Sequence, residues 1–316
     1  MALTIGVDIG GTKVAAGVVD ETGNVLEEVR RPTPGQDVAA TEGTICAVVD
    51  DLAGRYDVVA VGIGAAGWIA NDRATVLFSP HLAWRNEPLR DSLAGRIRLP
   101  VIVENDANAA AWAEYRFGTA QGERVVCCVT LGTGIGGGLV VSGTLFRGAY
   151  GVAAEYGHMT VVPGGRRCAC GNRGCWEMYA SGRALARDAR ELAEVSPRTA
   201  HRLLALAGGQ PAALTGEHVT TAAREGDAAA VEIVVEMGRW LGRGVANLAA
   251  VLDPNVVVIG GGLVTAGDLL LDSATEALDQ HLAGRGFRPV ARLALAALGP
   301  LAGLVGAADL ARRRQP

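Results

Sequence analysis

The sequence predicts an α/β protein with two domains and a cleft between them. The first observation is length, because 316 residues exceed the size at which one hydrophobic core usually stops growing. The second is the alternation of short β-branched runs with longer helical patterns. The third is a unit of strand, glycine turn and strand that begins at Thr4 and recurs on the same plan after Arg124. A duplicated fold with two facing glycine turns is the simplest explanation of that repetition.

Local patterns place the elements in chain order. Apolar and β-branched runs predict strands, and alanine-rich or amphipathic stretches predict helices. In the first half we expect strands at 4–8, 14–19, 25–30, 58–64 and 99–103, and helices at 38–53 and 107–116. In the second half we expect strands at 125–131 and 255–259, extended chain at 139–141, and helices at 228–251 and 301–313.

Composition and charge narrow the classes of partner. The chain has 29 basic and 33 acidic residues, so it lacks the broad positive field that attracts nucleic acid or an anionic membrane. It has no secretory leader pattern and no run of about 18 apolar residues. We therefore expect a cytoplasmic protein with neither nucleic acid nor membrane as partner. In that reducing compartment the six cysteines should not form disulfides.

Three glycine turns each follow an apolar strand, at residues 10–13, 132–134 and 260–262. Successive glycine N–H groups can surround phosphate oxygens because no side chain blocks their approach. A single turn of this kind fits a tight hairpin equally well, but three of them favour a nucleotide site. The spacing of Gly132, Gly134 and Gly137 matches a dinucleotide fingerprint, yet a strand pattern follows instead of a helix. The only lysine of the chain, Lys13, lies in the first turn and suits a phosphate contact.

Three cysteines within eight residues, with a histidine upstream, indicate a metal site. Cys168, Cys170 and Cys175 with His158 supply the ligand number and chemistry of a closed zinc site. Merely buried thiols explain the pattern less well, because polar and glycine residues separate them. Four protein ligands leave no open position, so we expect zinc to organise structure, holding the second ring nitrogen of His158 and the nearby Glu177 in place.

Carboxylates and amides near these motifs are suited to bind a ring of hydroxyls such as a hexose. The candidates are Asn105, Asp106, Glu155 and Glu177. Asn105 or Asp106 is equally well explained as a helix N-cap, and the two roles are compatible. A carboxylate at a helix N-terminus is stabilised as the anion, available to accept a proton from a hydroxyl.

Together these motifs resemble the ROK family of sugar kinases and repressors, in particular its actinobacterial, zinc-containing glucokinases. The resemblance covers essentially the whole chain. It rests on Asp8-Ile9-Gly10-Gly11-Thr12-Lys13, Glu104-Asn105-Asp106-Ala107-Asn108, the glycine-rich run 131–138, Glu155-Tyr156-Gly157-His158, the cysteine motif ending at Glu177, and Ile259-Gly260-Gly261-Gly262.

The resemblance implies an actin-like, ribonuclease-H-like fold and ATP-dependent phosphorylation of glucose at its 6-hydroxyl. It implies that Asp106 is the general base and that zinc lies on the four ligands named above. The other implied sugar contacts are Gly67, Asn105, Glu155, His158 and Glu177. The implied nucleotide contacts, with Mg²⁺, are Asp8, Gly10, Gly11, Thr12, Lys13, Thr133, Gly134, Gly261 and Gly262, the last two near the adenosine.

Several expectations complete this interpretation. The resemblance implies a small domain at 1–123 with 304–316, a large domain at 124–303 that carries the zinc loop, and a homodimer or homotetramer. Polyphosphate-using relatives lack the cysteine cluster, which favours ATP as donor. The chain begins in its first strand, so we expect no helix-turn-helix segment. A kinase for another hexose, such as N-acetylmannosamine or fructose, and a sugar-sensing regulator without direct DNA binding remain alternatives.

Overall fold

The computed structural model describes residues 2–313, which form two compact units. The first unit comprises residues 2–128, 138–154 and 297–313, and the second comprises 129–137 and 155–296. The domain bounds expected from the sequence stay a prediction, and residues 1 and 314–316 within them lie outside the described residues. Among residues 2–313, no helix combines the length and the apolar character needed to cross a membrane.

Thirteen strands and nine α-helices are present in the described residues. The strands are β1 (Leu3–Ile9), β2 (Lys13–Val19), β3 (Val25–Pro32), β4 (Val58–Ala65), β5 (Trp68–Ile69), β6 (Val76–Phe78), β7 (Arg85–Glu87), β8 (Val101–Asn105), β9 (Val125–Leu131), β10 (Ile135–Val141), β11 (Thr144–Leu145), β12 (Val256–Gly260) and β13 (Arg292–Leu295). The helices are α1 (Val38–Ala53), α2 (Leu89–Ala94), α3 (Asp106–Phe117), α4 (Gly182–Val195), α5 (His201–Leu206), α6 (Gly216–Arg224), α7 (Ala228–Leu252), α8 (Asp268–His281) and α9 (Ala302–Arg313).

Two five-stranded sheets share one plan. Their strand orders are β3-β2-β1-β4-β8 and β11-β10-β9-β12-β13, so each strand of one sheet has an equivalent in the other. In each sheet a glycine turn joins two neighbouring strands, β1 with β2 in one and β9 with β10 in the other, as the repetition in the sequence predicted. A third sheet, β5-β6-β7, has strands of two or three residues and was not predicted, because such short strands leave no alternating pattern to detect.

The first sheet brings three strand ends to one edge. Strands β1, β4 and β8 are parallel, and the register pairs Asp8 with Gly64 and Gly64 with Glu104. Asn105 and Asp106 follow directly where β8 ends and α3 begins. Ligands of open α/β sheets bind outside the carboxyl ends of parallel strands. This edge is therefore where a site is expected in the first unit.

Two glycines allow α9 to pack directly on this sheet. Gly6 and Gly62 are register partners on β1 and β4. A Cβ added to Gly6 would overlap the carbonyl of Leu304, and one added to Gly62 would overlap the carbonyl of Ala307. The helix backbone therefore rests against the strands with no side chain between them.

The predicted strand at 99–103 lies two residues too early. The structure begins β8 at Val101 and continues it through Asn105. Pro100 has no N–H to donate to a ladder, and its carbonyl accepts a hydrogen bond from Val61 N at 2.9 Å just before the strand starts. The shift matters because it places Asn105 at the junction between strand and helix.

Candidate functional site

Asn105 connects the start of α3 to the loop at Gly67. Its Oδ1 accepts a hydrogen bond from Asn108 N at 2.9 Å, so Asn105 is the N-cap of α3. Its Nδ2 donates to the carbonyl of Gly67 at 3.0 Å and to Asp106 Oδ1 at 3.2 Å. Gly67 has φ of +145°, and a Cβ there would overlap the carbonyl of Phe78. The cap role left open by the sequence is thus confirmed for Asn105, and Asp106 becomes the first residue of the helix.

Two carboxyl groups with raised pKa values share this edge of the sheet. Burial raises the pKa of Asp106, opposed by the N–H of Ala107 at 2.9 Å and by the electrostatic influence of His81. Burial and the charge of Asp106 raise the pKa of Asp8 to about 7, while Lys13 lowers it. The two groups therefore repel each other as anions. A carboxyl that takes up a proton near neutral pH is suited to general base chemistry.

A buried charge cluster lies directly behind Asn105. Glu104 is fully buried, and its Oε1 accepts hydrogen bonds from Asn105 N at 2.9 Å and Asn108 Nδ2 at 3.1 Å. Its Oε2 lies 3.3 Å from Arg73 Nε and 2.9 Å from Arg147 Nε. The role of this cluster was missed from sequence, and no local pattern indicates that Arg73 and Arg147 meet Glu104.

The first glycine turn (residues 10–13) is fixed by hydrogen bonds of its carbonyls. Gly10 N donates to Lys13 O at 3.0 Å, and Thr33 holds the turn from the end of β3. Thr33 N donates to Thr12 O at 3.1 Å, and Thr33 Oγ1 donates to Gly10 O at 2.9 Å. Because Gly11, Thr12 and Lys13 are exposed, this turn is open to a ligand.

The second glycine turn (residues 132–134) lies against Glu177 in the second unit. Gly132 N donates to Gly134 O at 3.0 Å, and Gly182 N at the start of α4 donates to Gly132 O at 2.8 Å. A Cβ at Gly134 would overlap Glu177 Oε2. The sequence assigned Glu177 to sugar binding and Thr133 with Gly134 to phosphate binding, and the structure brings these two groups into contact.

The third glycine turn (residues 260–262) also requires glycine. Gly261 has φ of +89°, and a Cβ there would overlap the backbone of Leu131 at the end of β9. Gly261 and Gly262 are exposed, and Gly262 begins a 3-10 helix. The second and third turns are therefore neighbours within the second unit.

His158 and the three cysteines converge as a metal site requires. Their ligand atoms lie within 4.8 Å of one another. The Sγ atoms of Cys170 and Cys175 are 3.6 Å apart, and Cys168 Sγ is 3.6 Å from His158 Nδ1. A tetrahedral zinc site with ordinary bond lengths has S–S edges of about 3.8 Å and S–N edges of about 3.6 Å. The four side chains therefore fit Zn²⁺ in both chemistry and spacing.

Two glutamates lie beside the ring of His158. Glu177 Oε1 is 3.0 Å from Cys168 Sγ and 4.0 Å from His158 Nδ1, the ring nitrogen that faces the cysteines. Glu155 Oε2 is 3.9 Å from the other ring nitrogen, Nε2. Within the second unit the structure thus gathers Glu155, His158 and Glu177 around the cysteine cluster and the second glycine turn.

Comparison with known proteins identifies the family. The model of the ROK family matches residues 4–314. This chain belongs to the ROK family. The match spans nearly the full length, as the resemblance of the motifs predicted.

Curated and solved ROK proteins resemble this one along its whole length. A glucokinase from Streptomyces coelicolor is 52% identical over 316 residues, covering 100% of this chain and 99% of the relative. A crystal structure of a ROK family glucokinase from Streptomyces griseus, in complex with glucose and AMPPNP, has a TM-score of 0.92 and 52% identity, covering 99% of this chain and 100% of that one. A ROK hexokinase from Thermus thermophilus has a TM-score of 0.80 and 36% identity, covering 99% and 98%. This ROK protein has the actin-like, ribonuclease-H-like fold of these kinases, as predicted.

Proposed function

We propose that this ROK protein transfers the γ-phosphoryl group of ATP to the 6-hydroxyl of glucose. The 52% identity to a glucokinase over the full chain, and the structural likeness to one crystallised with glucose and AMPPNP, support the substrates. The observation that carries the proposal is the position of Asp106. It follows the carboxyl end of β8, begins α3 and touches the cap residue Asn105.

Asp106 would accept the proton of the attacking hydroxyl. The raised pKa of Asp106 makes its carboxylate a better proton acceptor than an exposed aspartate. Phosphoryl transfer has a loose transition state, so the base mainly orients the alcohol while positive groups hold the phosphate charge. The proposed contacts to the other sugar hydroxyls are Asn105, Glu155, His158, Glu177 and the backbone of Gly67.

The glycine turns would hold the nucleotide. In the first unit the exposed Gly11, Thr12 and Lys13 would offer N–H groups and one ammonium to phosphate oxygens, with the half-buried Gly10 and Asp8 beside them. In the second unit Thr133 and Gly134 would bind phosphate, and Gly261 with Gly262 would lie near the adenosine. Mg²⁺ bound with ATP would neutralise part of the phosphate charge.

Zinc would act through structure and not through activation of water. His158, Cys168, Cys170 and Cys175 would supply all four ligands of a structural zinc ion and leave no position for a reacting ligand. Because Glu177 touches Cys168 and Gly134, a metal at this cluster would fix that carboxylate relative to the second glycine turn. The orientation of the His158 ring would be fixed by the same site.

The first test is ATP-dependent ADP release with glucose, N-acetylmannosamine, fructose and no sugar, measured side by side on zinc-loaded protein. We expect strong preference for glucose and glucose 6-phosphate as product. Preference for another hexose would move the substrate but keep the mechanism. Sugar binding without turnover would favour the regulator. A cytoplasmic location, a role in glycolysis and a homodimeric or homotetrameric state remain predictions of the family resemblance.

A further inference from the structure

The loop between β6 and β7 holds an exposed histidine against the first glycine turn. The Cβ of His81 would lie 3.1 Å from a Cβ built on Gly11, and its Cγ would lie 3.6 Å away. The side chain of His81 is exposed, whereas its neighbours Leu82 and Trp84 are buried. The buried Leu82 and Trp84 therefore anchor the loop and leave His81 exposed beside the turn.

This loop is fixed by its own hydrogen bonds. Arg85 Nη1 donates to the carbonyls of Ser79, Leu82 and Trp84 at 2.7, 3.0 and 2.6 Å. Ser79 Oγ donates to Ala66 O at 2.6 Å and accepts from Leu82 N at 3.2 Å. A guanidinium shared by three carbonyls holds the loop in one conformation. The position of His81 is therefore determined by the hydrogen bonds of this loop.

The same segment that fixes the glycine turn also fixes the histidine loop. Thr33 holds the turn through Gly10 O and Thr12 O. Two residues later, Gly35 O accepts a hydrogen bond from Ala83 N at 2.8 Å. The turn and the loop are therefore both hydrogen-bonded to one short stretch of chain, which fixes the position of His81 relative to the turn.

The groups around His81 are consistent with a hydrogen-bond-donating role for its imidazole. Asp106 at the start of α3 is influenced by His81, which lowers its pKa, and Asp8 at the end of β1 is influenced by Asp106 and Lys13. Arg85 is engaged with carbonyls of its own loop. His81 therefore interacts electrostatically with the proposed base and lies against the first glycine turn.

We propose that His81 is a further residue of the phosphoryl-transfer site, where its imidazole donates a hydrogen bond to the terminal phosphate of ATP held at the first glycine turn. This inference rests on the proposed function, because it assumes that this turn holds the nucleotide. An imidazole N–H next to a phosphate oxygen forms a charge-assisted hydrogen bond. Such a bond discriminates ATP from ADP, because ADP lacks the terminal group.

The experiment measures the affinities of AMPPNP and ADP, with Mg²⁺, by calorimetry on the full-length zinc-loaded protein. The variants are His81→Leu, which removes the hydrogen-bond donor, and His81→Lys, which keeps one. The matched control is His201→Leu, at the exposed first residue of α5. We expect His81→Leu to lower AMPPNP affinity about tenfold, because the donor is lost, and to leave ADP affinity unchanged. His81→Lys should retain most of the preference for AMPPNP, and the control should behave as the parent.

An equal AMPPNP-to-ADP affinity ratio in His81→Leu and parent would overturn the proposal, as would a parent that binds neither nucleotide. If His81 had only a structural role, its replacement would weaken the binding of AMPPNP and ADP together, and lysine would not restore that binding. The readout needs no turnover, so it is separable from the proposed function. A parent that binds AMPPNP through His81 but phosphorylates no glucose would sustain this inference and reject glucose as substrate.

Discussion

Replacing Glu104 with glutamine tests whether the buried charge cluster stabilises the first unit. The amide oxygen of glutamine can still accept the hydrogen bonds from Asn105 N and Asn108 Nδ2. The carboxylate that faces Arg73 at 3.3 Å and Arg147 at 2.9 Å is lost. Removing one member of a buried ionic group costs about 3–5 kcal/mol of unfolding free energy.

We place Glu104→Gln near the lower end of that range. Arg147 keeps acceptors in the carbonyls of Ala70 and Asn71, at 3.0 and 3.2 Å, which soften the loss of its carboxylate. About 3 kcal/mol corresponds to a fall in Tm of roughly 6 °C or more for a unit of this size. The turn at Asn105 should also loosen, so the KM for glucose should rise.

The assay is thermal unfolding by circular dichroism, with glucose phosphorylation measured on the same preparations. Glu232→Gln, on the exposed face of α7, is the matched control and should leave both quantities unchanged. Adding Arg73→Met to Glu104→Gln removes one of the two positive charges and should recover part of the lost stability. A Tm within about 1 °C of the parent for Glu104→Gln alone would refute the reasoning, because it would mean that the carboxylate contributes nothing net.

Four further variants test other parts of the molecule. Asp106→Asn should lower kcat about 10²- to 10⁴-fold while glucose affinity by calorimetry stays nearly unchanged; equal loss of both would contradict the base assignment. Cys170→Ser should lower zinc content and activity together, and a fully active zinc-free preparation would argue against the coupling. The pKa of Asp8 is raised from 3.8 to about 7, so the folded state binds a proton that the unfolded state releases, and stability falls as pH rises through that window. Asp8→Asn should therefore stabilise the protein more at pH 8 than at pH 5 in urea titrations, and a gain independent of pH would be inconsistent with that pKa. Gly62→Ala should destabilise the folded protein, because the added Cβ has no room against α9. Gly95→Ala, where no atom lies within 4 Å of the added Cβ, should be neutral or stabilising. Similar urea midpoints for the two variants would contradict this account of the packing.

Elements and sites that depend on neighbouring residues could be predicted from the amino-acid sequence. The helix at 38–53 and the strand at 125–131 were predicted with the bounds that the structure has, because the helical pattern of the first and the apolar run of the second lie wholly within each segment. The ligands of the metal cluster were predictable because three of them lie within eight residues. The repeated unit of strand, glycine turn and strand likewise predicted two sheets of one plan.

Contacts between side chains far apart in the chain became visible only in the folded structure. Arg73 and Arg147 reach Glu104 from separate loops. Glu177 contacts Gly134 of the second glycine turn, although the two residues are 43 positions apart in the chain. His81 faces Gly11 only because β6 and β7 fold their loop onto the end of β3. The energies of such contacts depend on distance and burial between segments far apart in sequence, and no local pattern encodes those quantities. The sequence therefore specified the chemical groups, and the packing of the sheets specified which of them act together.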